Sequence, residues 1–91
     1  GRLLEFRCGP GFDAINPEAR YDLIVANILA RPLTAIAPDL GRHVVRGGYA
    51  VLSGLLVRDE RFVLAAYMAQ GLKLERRIVR GDWATLVLKK R

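Results

Sequence analysis

The hydrophobic residues of this chain fall into short runs that follow two different spacings. Apolar residues occupy successive positions in Tyr21–Asn27, which is typical of a parallel strand covered on both faces. Residues 49–52 (YAVL) form a second buried run of this kind. Leu72–Val79 begins with alternating apolar and charged residues, as a half-exposed strand does, and a Gly81-Asp82 turn leads into Trp83–Leu88. These last two runs are predicted to pair as an antiparallel hairpin anchored by Trp83.

The segments between these strands have apolar residues at helical spacing. From Pro32 to Val44 the apolar positions repeat every three or four residues, Pro38 should kink or restart the helix, and Gly47-Gly48 should stop it. A second helix is predicted from Asp59 to Gln70, ending at Gly71. The following residues are predicted on its buried face: Phe62, Val63, Ala66 and Tyr67.

A strand is also predicted at the start of the chain, over Leu3–Cys8, closed by a turn at Gly9-Pro10-Gly11. Asn16-Pro17-Glu18 is a further turn signal. The predicted order is therefore β, β, α, β, α, β, β. Alternating strands and helices imply an α/β fold with a parallel sheet and right-handed crossovers, ending in an antiparallel hairpin.

Composition restricts the class of protein further. The 91 residues, 52% hydrophobic and 26% charged, suit one globular domain over 1–91 and not a disordered chain. No apolar run is long enough to span a bilayer and no signal peptide opens the chain, so we expect a cytoplasmic protein. Cys8 and His43 are single, which excludes a disulfide framework and a Cys/His zinc site. Packing is expected for Cys8, and a surface or capping role for His43.

The positive charge is concentrated in the second half of the chain. The formal net charge is +6, and the chain ends in Lys89-Lys90-Arg91. A basic half can contact RNA, so a small RNA-binding or ribosome-associated α/β module is one possible function. Basic tails are also common solubilising features, and the scattered aromatic residues form no stacking platform.

Candidate chemistry lies at the ends of the two buried strands. Asn27 ends the first strand and Ser53-Gly54 follow the second, and open α/β sheets bind ligands beyond the carboxyl ends of their strands. The Asn27 amide oxygen could accept a hydrogen bond from a substrate amine. An Asx turn, a helix cap or a strand-end turn would explain the same residues. No Ser/His/Asp set or carboxylate pair indicates hydrolysis.

The run Tyr21-Asp22-Leu23-Ile24-Val25-Ala26-Asn27-Ile28-Leu29-Ala30 resembles the motif after the fourth strand of the S-adenosylmethionine-dependent methyltransferases of large-subunit ribosomal protein eleven. Further matches follow in order: Leu40 with Gly47-Gly48, Leu52-Ser53-Gly54-Leu55-Leu56, the helix around Val63–Tyr67, and Asp82-Trp83 before Leu86-Val87-Leu88. The resemblance implies the C-terminal half of a Rossmann-like class I methyltransferase sheet.

The resemblance also implies roles for individual residues. Asn27 would be the catalytic residue that positions the acceptor amine, and it would contact S-adenosylmethionine together with Ala26. Ile28 and Leu29 would shape the substrate pocket, with Ser53 and Gly54 beside the acceptor. The implied reaction transfers a methyl group to a lysine or N-terminal amine of a ribosomal protein, with positioning more important than acid-base groups.

This sequence also departs from the family pattern. Val45-Arg46 precede Gly47-Gly48 where a Lys-Pro pair is usual, and the glycine-rich cofactor loop, the acidic ribose-binding residue and the N-terminal recruiting domain have no counterpart. We therefore expect a partial catalytic domain, nearly inactive by itself. Without the central first strand, Leu23–Ala26 would be unpaired on one side, which predicts a homodimer or swapped assembly through that edge.

Overall fold

The computed structural model describes residues 2–6 and 18–91, which form a mixed five-stranded sheet and three helices. The elements in chain order are β1 (Leu3–Phe6), β2 (Tyr21–Asn27), α1 (Ala30–Ala35), α2 (Ala37–His43), β3 (Val44–Leu56), a 3-10 turn (Val57–Asp59), α3 (Glu60–Met68), β4 (Leu72–Arg80) and β5 (Trp83–Lys90). This order confirms the prediction. No helix in the described ranges is long and apolar enough to cross a bilayer.

The strands lie in the order β1-β2-β3-β5-β4. β1, β2 and β3 run parallel, whereas β5 is antiparallel to both β3 and β4. The parallel sheet and the terminal hairpin are therefore both confirmed. Because β5 lies between β3 and β4, the hairpin extends the parallel part of the sheet on one side only.

The predicted free edge at Leu23–Ala26 is wrong. β1 pairs along this part of β2, with Leu3 opposite Leu23 and Phe6 opposite Ala26, while β3 pairs along the other side. The chain's own first strand thus supplies the hydrogen-bonding partner that β2 needs. The argument for a dimer through β2 is lost, and the assembly itself stays a prediction.

The helical segment divides where the sequence predicted a break. α1 ends at Ala35 and α2 begins at Ala37, with Pro38 in the first turn of α2, where its missing N–H leaves no hydrogen bond unmade. The predicted helix stop at Gly47-Gly48 is wrong, because α2 ends at His43 and both glycines lie in β3.

Local contacts explain this earlier helix end. The His43 Nδ1 lies 2.7 Å from the Asp39 carbonyl oxygen, which confirms a capping role, although His43 is buried and not on the surface. Val44 is already extended. The glycines instead serve the strand: Gly47 adopts φ +82°, and a Cβ on Gly48 would lie 2.9 Å from the Asp22 carbonyl oxygen.

The core lies between the sheet and the three helices. Tyr67 is fully buried on α3, and its hydroxyl donates a 2.7 Å hydrogen bond to the Leu33 carbonyl oxygen on α1. Glu60, Val63 and Tyr67 form the buried face of α3. Phe62, predicted on that face, is 62% exposed, because an α-helix turns by about 100° per residue and carries it away from its buried neighbour Val63.

A two-pronged ion pair fixes α3 against the edge strand β4. The Arg77 Nε and Nη2 atoms donate to the two Glu60 carboxylate oxygens at 2.5 and 2.8 Å. This hydrogen bonding to Glu60 raises the pKa of Arg77 above its ordinary value. The pair also places the Glu60 carboxylate in the first turn of α3, where the helix dipole favours a negative charge.

Trp83 opens β5, as predicted, and is 52% exposed, so its role as the anchor of the hairpin stays a prediction. It lies opposite Leu56, where the hairpin ends. Cys8 and the turn at Gly9-Pro10-Gly11 fall outside the described residues, and of the predicted Asn16-Pro17-Glu18 turn only Glu18 is described, in a turn.

Candidate functional site

Asn27 and Gly54 meet at the carboxyl ends of two adjacent parallel strands. β2 and β3 pair in a register that sets Asn27 opposite Ser53, so the two strands end side by side. The Asn27 side chain is exposed, and its amide makes no hydrogen bond within the described residues. Sequence reasoning placed these residues at one edge of the sheet, and the structure brings them into contact.

Gly54 shapes this contact through its backbone. It adopts φ +83°, a backbone conformation that residues other than glycine rarely adopt. A Cβ at this position would lie 2.8 Å from the Asn27 Oδ1 atom and 3.1 Å from the Ile28 carbonyl oxygen. Glycine is therefore required both by the local backbone and by the close approach of the Asn27 amide.

A bulge produces the unusual backbone at Gly54. Leu52 pairs with Leu86 and Leu55 pairs with Ala84, so two residues of β3, Ser53 and Gly54, face a single residue of β5. The extra residue turns the end of β3 and leaves Ser53 half-buried. Bulges of this kind are frequent beside binding sites, where they redirect a strand end.

A groove of about 420 Å³ opens beside this contact. One wall comes from the start of α1 and the other from the 3-10 turn and α3, with Gly54 and Trp83 between them. Its lining residues are Leu29, Ala30, Arg31, Gly54, Leu56, Asp59, Phe62 and Trp83. A second hollow of about 240 Å³ is also lined by Gly54 and Trp83, so the indole lies between two concavities.

The other site residues suggested by the sequence take different positions. Leu29 is 66% exposed and lines the groove, as a pocket residue should. Ile28 is 8% exposed and belongs to the core, with only its backbone near Gly54. Ala26 is fully buried, which leaves its backbone as the part available to a ligand.

Sequence reasoning missed six residues of the groove. They are Ala30, Arg31, Leu56, Asp59, Phe62 and Trp83. The sequence predicts Asp59 only as the first residue of a helix, Phe62 on the buried face of that helix and Trp83 as the anchor of the hairpin. A usable signal was present in Trp83, whose position after a turn sets it at the same sheet end as Asn27 once the hairpin register is known.

The chemistry of this site is that of positioning. Within the described residues, no cluster of three or more His, Cys, Asp or Glu side chains could hold a metal ion. The groove combines apolar walls with one carboxylate, one guanidinium and the neighbouring Asn27 amide. Such a site can orient an amine-bearing side chain by hydrogen bonding and burial of its stem.

Solved structures identify the fold class. A TehB-like SAM-dependent methyltransferase from Corynebacterium glutamicum matches with a TM-score of 0.66 at 20% identity, over 87% of this chain and 52% of that one. The ribosomal protein L11 methylase from Lactobacillus delbrueckii subsp. bulgaricus matches with a TM-score of 0.79 at 26% identity, over 88% of this chain and 41% of that one. The fold is that of the class I methyltransferases.

The sequence defines the family within this class. Residues 11–91 match the family Ribosomal protein L11 methyltransferase (PrmA), and the chain belongs to this family. A relative of that name from a Caulobacter species is 49% identical over 82 residues, which are 90% of this chain and 28% of the relative. The chain spans about three tenths of the length of the curated relatives it matches.

Proposed function

We propose that this chain forms the acceptor side of the catalytic domain of an S-adenosylmethionine-dependent protein methyltransferase. The substrate would be a lysine or N-terminal amine of ribosomal protein L11, the protein named in its relatives, and the reaction would take place in the cytoplasm. One observation carries the proposal: the exposed Asn27 amide lies against Gly54 at the shared carboxyl end of β2 and β3. The RNA-binding alternative has no comparable support.

Asn27 would hold the acceptor amine in this reaction. Its Oδ1 atom accepts a hydrogen bond from the amine, which directs the nitrogen lone pair toward the methyl carbon. The absence of a Cβ on Gly54 lets the amide lie against a residue that lines the groove. Leu29 and Leu56 both line the adjacent groove and would exclude water from the amine.

S-adenosylmethionine, when bound, supplies a methyl group bonded to a positively charged sulfur. The nitrogen–carbon bond forms as the carbon–sulfur bond breaks, and the proton of the resulting methylammonium leaves to water. The described residues fit one end of this group, because the partial negative charge of the Asn27 oxygen suits a sulfonium and the backbone beyond Ala26 is at the same strand end. A partial domain of this kind should bind the whole group weakly by itself.

The experiment that tests this proposal places the chain in a complete enzyme. A chimaera of the Caulobacter relative, with its 82 matching residues replaced by the corresponding residues of this chain, is assayed for transfer of a labelled methyl group to ribosomal protein L11. We expect transfer by the chimaera and a loss of about 100-fold for its Asn27→Ala form, because a misplaced acceptor costs that much.

Two controls make the result specific to the acceptor site. Asn27→Asp keeps the size of the side chain and an accepting oxygen, so it should retain more activity than Asn27→Ala. Gly47→Ala alters a glycine of the same backbone class, φ +82°, in open space away from the site, and should leave the rate unchanged. An inactive, folded chimaera, or one insensitive to Asn27→Ala, contradicts the proposal.

A further inference from the structure

The last strand in the sheet, β4, has a free edge. It pairs with β5 on one side, and no other strand of residues 2–6 and 18–91 lies along its other side. Its pairing with β5 is regular over Arg76–Arg80, after a shift of register between Leu74 and Arg76. An edge strand presents outward backbone N–H and C=O groups to any other extended chain. The regular stretch is therefore a candidate surface for strand addition.

The turn between β4 and β5 decides which backbone groups face outward. Only two residues separate Arg80 from its partner Trp83. Residues that flank a two-residue turn form a hydrogen-bonded pair, and such pairs alternate with non-bonded pairs along antiparallel strands. Arg80 and Ile78 therefore bond to β5, whereas the backbone groups of Arg77 and Val79 point away from it. An added strand would bond to these two residues.

The side chains of this stretch differ between the two faces of the sheet. Arg77 binds Glu60 on α3, so its side chain is on the helix face and its cation is already paired. Arg76, Ile78 and Arg80 lie on the opposite face, because side chains alternate along a strand. Both arginines are exposed and make no ion pair within the described ranges, and Ile78 between them is half-buried. The edge thus presents a cation, an apolar residue and a second cation at alternate positions.

This charge pattern excludes a second copy of the strand as the partner. In an antiparallel pair of two β4 strands centred on Ile78, Arg76 of each copy would lie opposite Arg80 of the other. Like charges in directly opposite positions destabilise a strand pair, and charged edges commonly prevent self-association in this way. An acidic strand would instead form opposite-charge pairs at both positions.

We propose that the Arg76–Arg80 edge of β4 binds an extended acidic protein segment by strand addition. The segment carries acidic, apolar and acidic residues at alternate positions, with its carboxylates facing Arg76 and Arg80. Its apolar side chain packs on Ile78, which lines the hollow of about 240 Å³ together with Arg80. Its backbone bonds to Arg77 and Val79. RNA would be attracted by the same charges, but it has no peptide backbone to pair with these groups.

Nuclear magnetic resonance titration of the 91-residue chain tests the inference. The probe is the blocked peptide acetyl-Thr-Glu-Thr-Val-Thr-Glu-Thr-amide, and two comparison peptides replace both glutamates by glutamine or by lysine. We expect the glutamate peptide to protect the Arg77 and Val79 amides from hydrogen exchange. It should bind about fivefold more tightly than the glutamine peptide, with the lysine peptide weakest. The preference should shrink as salt is raised from about 20 to about 500 mM.

Variants separate charge recognition from backbone pairing. The double variant Arg76→Gln with Arg80→Gln should bring the preference for glutamate over glutamine close to one and leave binding of the glutamine peptide unchanged. Arg46→Gln removes an exposed cation on β3 and is the charge-matched control. It should change the binding of neither peptide.

Four results would overturn the inference. They are equal binding of the glutamate and glutamine peptides, a preference that survives the double variant, binding that leaves the Arg77 and Val79 amides unprotected, and no binding of any peptide. An eight-nucleotide uridine RNA that displaces the glutamate peptide and binds more tightly would assign the surface to nucleic acid instead. The test is independent of methyl transfer by the chimaera, because Arg76, Ile78 and Arg80 are not among the residues that line the groove.

Discussion

The two ends of the sheet differ in how their polar and apolar groups are covered. At the amino ends of the parallel strands, the Lys90 Nζ atom donates to the Gly41 carbonyl oxygen at 2.9 Å and to the Gln70 carbonyl oxygen at 3.0 Å. One ammonium thereby joins the C-terminal turn of α2 to the turn after α3. At the carboxyl ends, Asn27 and the apolar side chains around the groove face solvent.

This difference between the two ends assigns stability to one end of the sheet and ligand binding to the other. The closed end satisfies helix carbonyl groups that would otherwise lack partners, and positive charge there also complements the helix dipoles. Exposed apolar side chains at the open end add little to folding. Residues of the closed end should therefore affect the free energy of unfolding, and residues of the open end should affect ligand binding. Gly54 is the exception, because it serves both.

The largest effect is expected for Gly54→Ala. The new Cβ meets the Asn27 and Ile28 oxygens and adopts a strained φ, which should cost about 3 kcal/mol of unfolding free energy and displace the Asn27 amide. Urea denaturation measures this. Gly47→Ala has the same φ without neighbours within 4 Å and should cost about 1–2 kcal/mol. Equal costs for the two variants would mean that the Asn27 contact is not tight.

Lys90→Met should come next, with a loss of about 1–2 kcal/mol, because it removes charged hydrogen bonds to two carbonyl groups. The matched control is Lys73→Met. Within the described residues Lys73 makes only a 3.9 Å ion pair with Glu75, so this variant should lose almost no stability. Binding at the groove should stay the same in both variants. A binding defect in Lys90→Met would show that stability and binding are not assigned to different ends of the sheet.

Tyr67→Phe, between the two ends, should cost about 1 kcal/mol by leaving the Leu33 carbonyl oxygen unpaired. Burial raises the pKa of the Tyr67 hydroxyl, so above about pH 10 the unfolded chain loses a proton that the folded chain keeps. This term lowers the unfolding free energy by about 1.4 kcal/mol per pH unit in that range. Unfolding curves at pH 8, 10 and 11 should show a shallower decline for Tyr67→Phe, and identical slopes would argue against a buried hydroxyl.

The smallest effect on stability is expected for Phe62→Ser, within about 0.5 kcal/mol, because the ring is mostly exposed. The adjacent Val63→Ala should cost about 2 kcal/mol, since Val63 is fully buried. Thermal denaturation of this pair compares two neighbours that the sequence pattern placed on one face. A larger loss for Phe62→Ser than for Val63→Ala would reverse the assignment.

The fold was predictable because each strand carries its own signal. The continuous apolar run of β2 and the turn between β4 and β5 gave the right chain order and the right hairpin, whereas the pairing of β1 with β2 was not predicted. The errors arose where tertiary contacts decide. Gly47-Gly48 are predicted as a helix stop, but α2 ends at His43 and both glycines lie in β3. Helical spacing alone could not tell that Phe62 lies just outside the buried face.

The sequence predicted only that the candidate site lies at the carboxyl ends of the parallel strands. Strand ends placed Asn27, Ser53 and Gly54 together, since parallel neighbours finish at the same side of a sheet. The contact between the Asn27 oxygen and Gly54 depends on a bulge that no local pattern marks. The groove wall carrying Asp59 and Phe62 depends on how α3 packs beside α1, which joins residues about thirty positions apart.

The pairing of β1 has a consequence for the order in which the fold opens. β1 contributes only four residues, Leu3–Phe6, and its described partner is β2 alone, whereas β3 is hydrogen-bonded on both sides. Local opening begins where backbone pairing is shortest and one-sided. Amide hydrogen exchange should therefore be fastest in β1 and slowest in residues 50–52 of β3. The strand that completes β2 would then be the first part of the sheet to come free, so that edge would be exposed intermittently in an otherwise folded molecule.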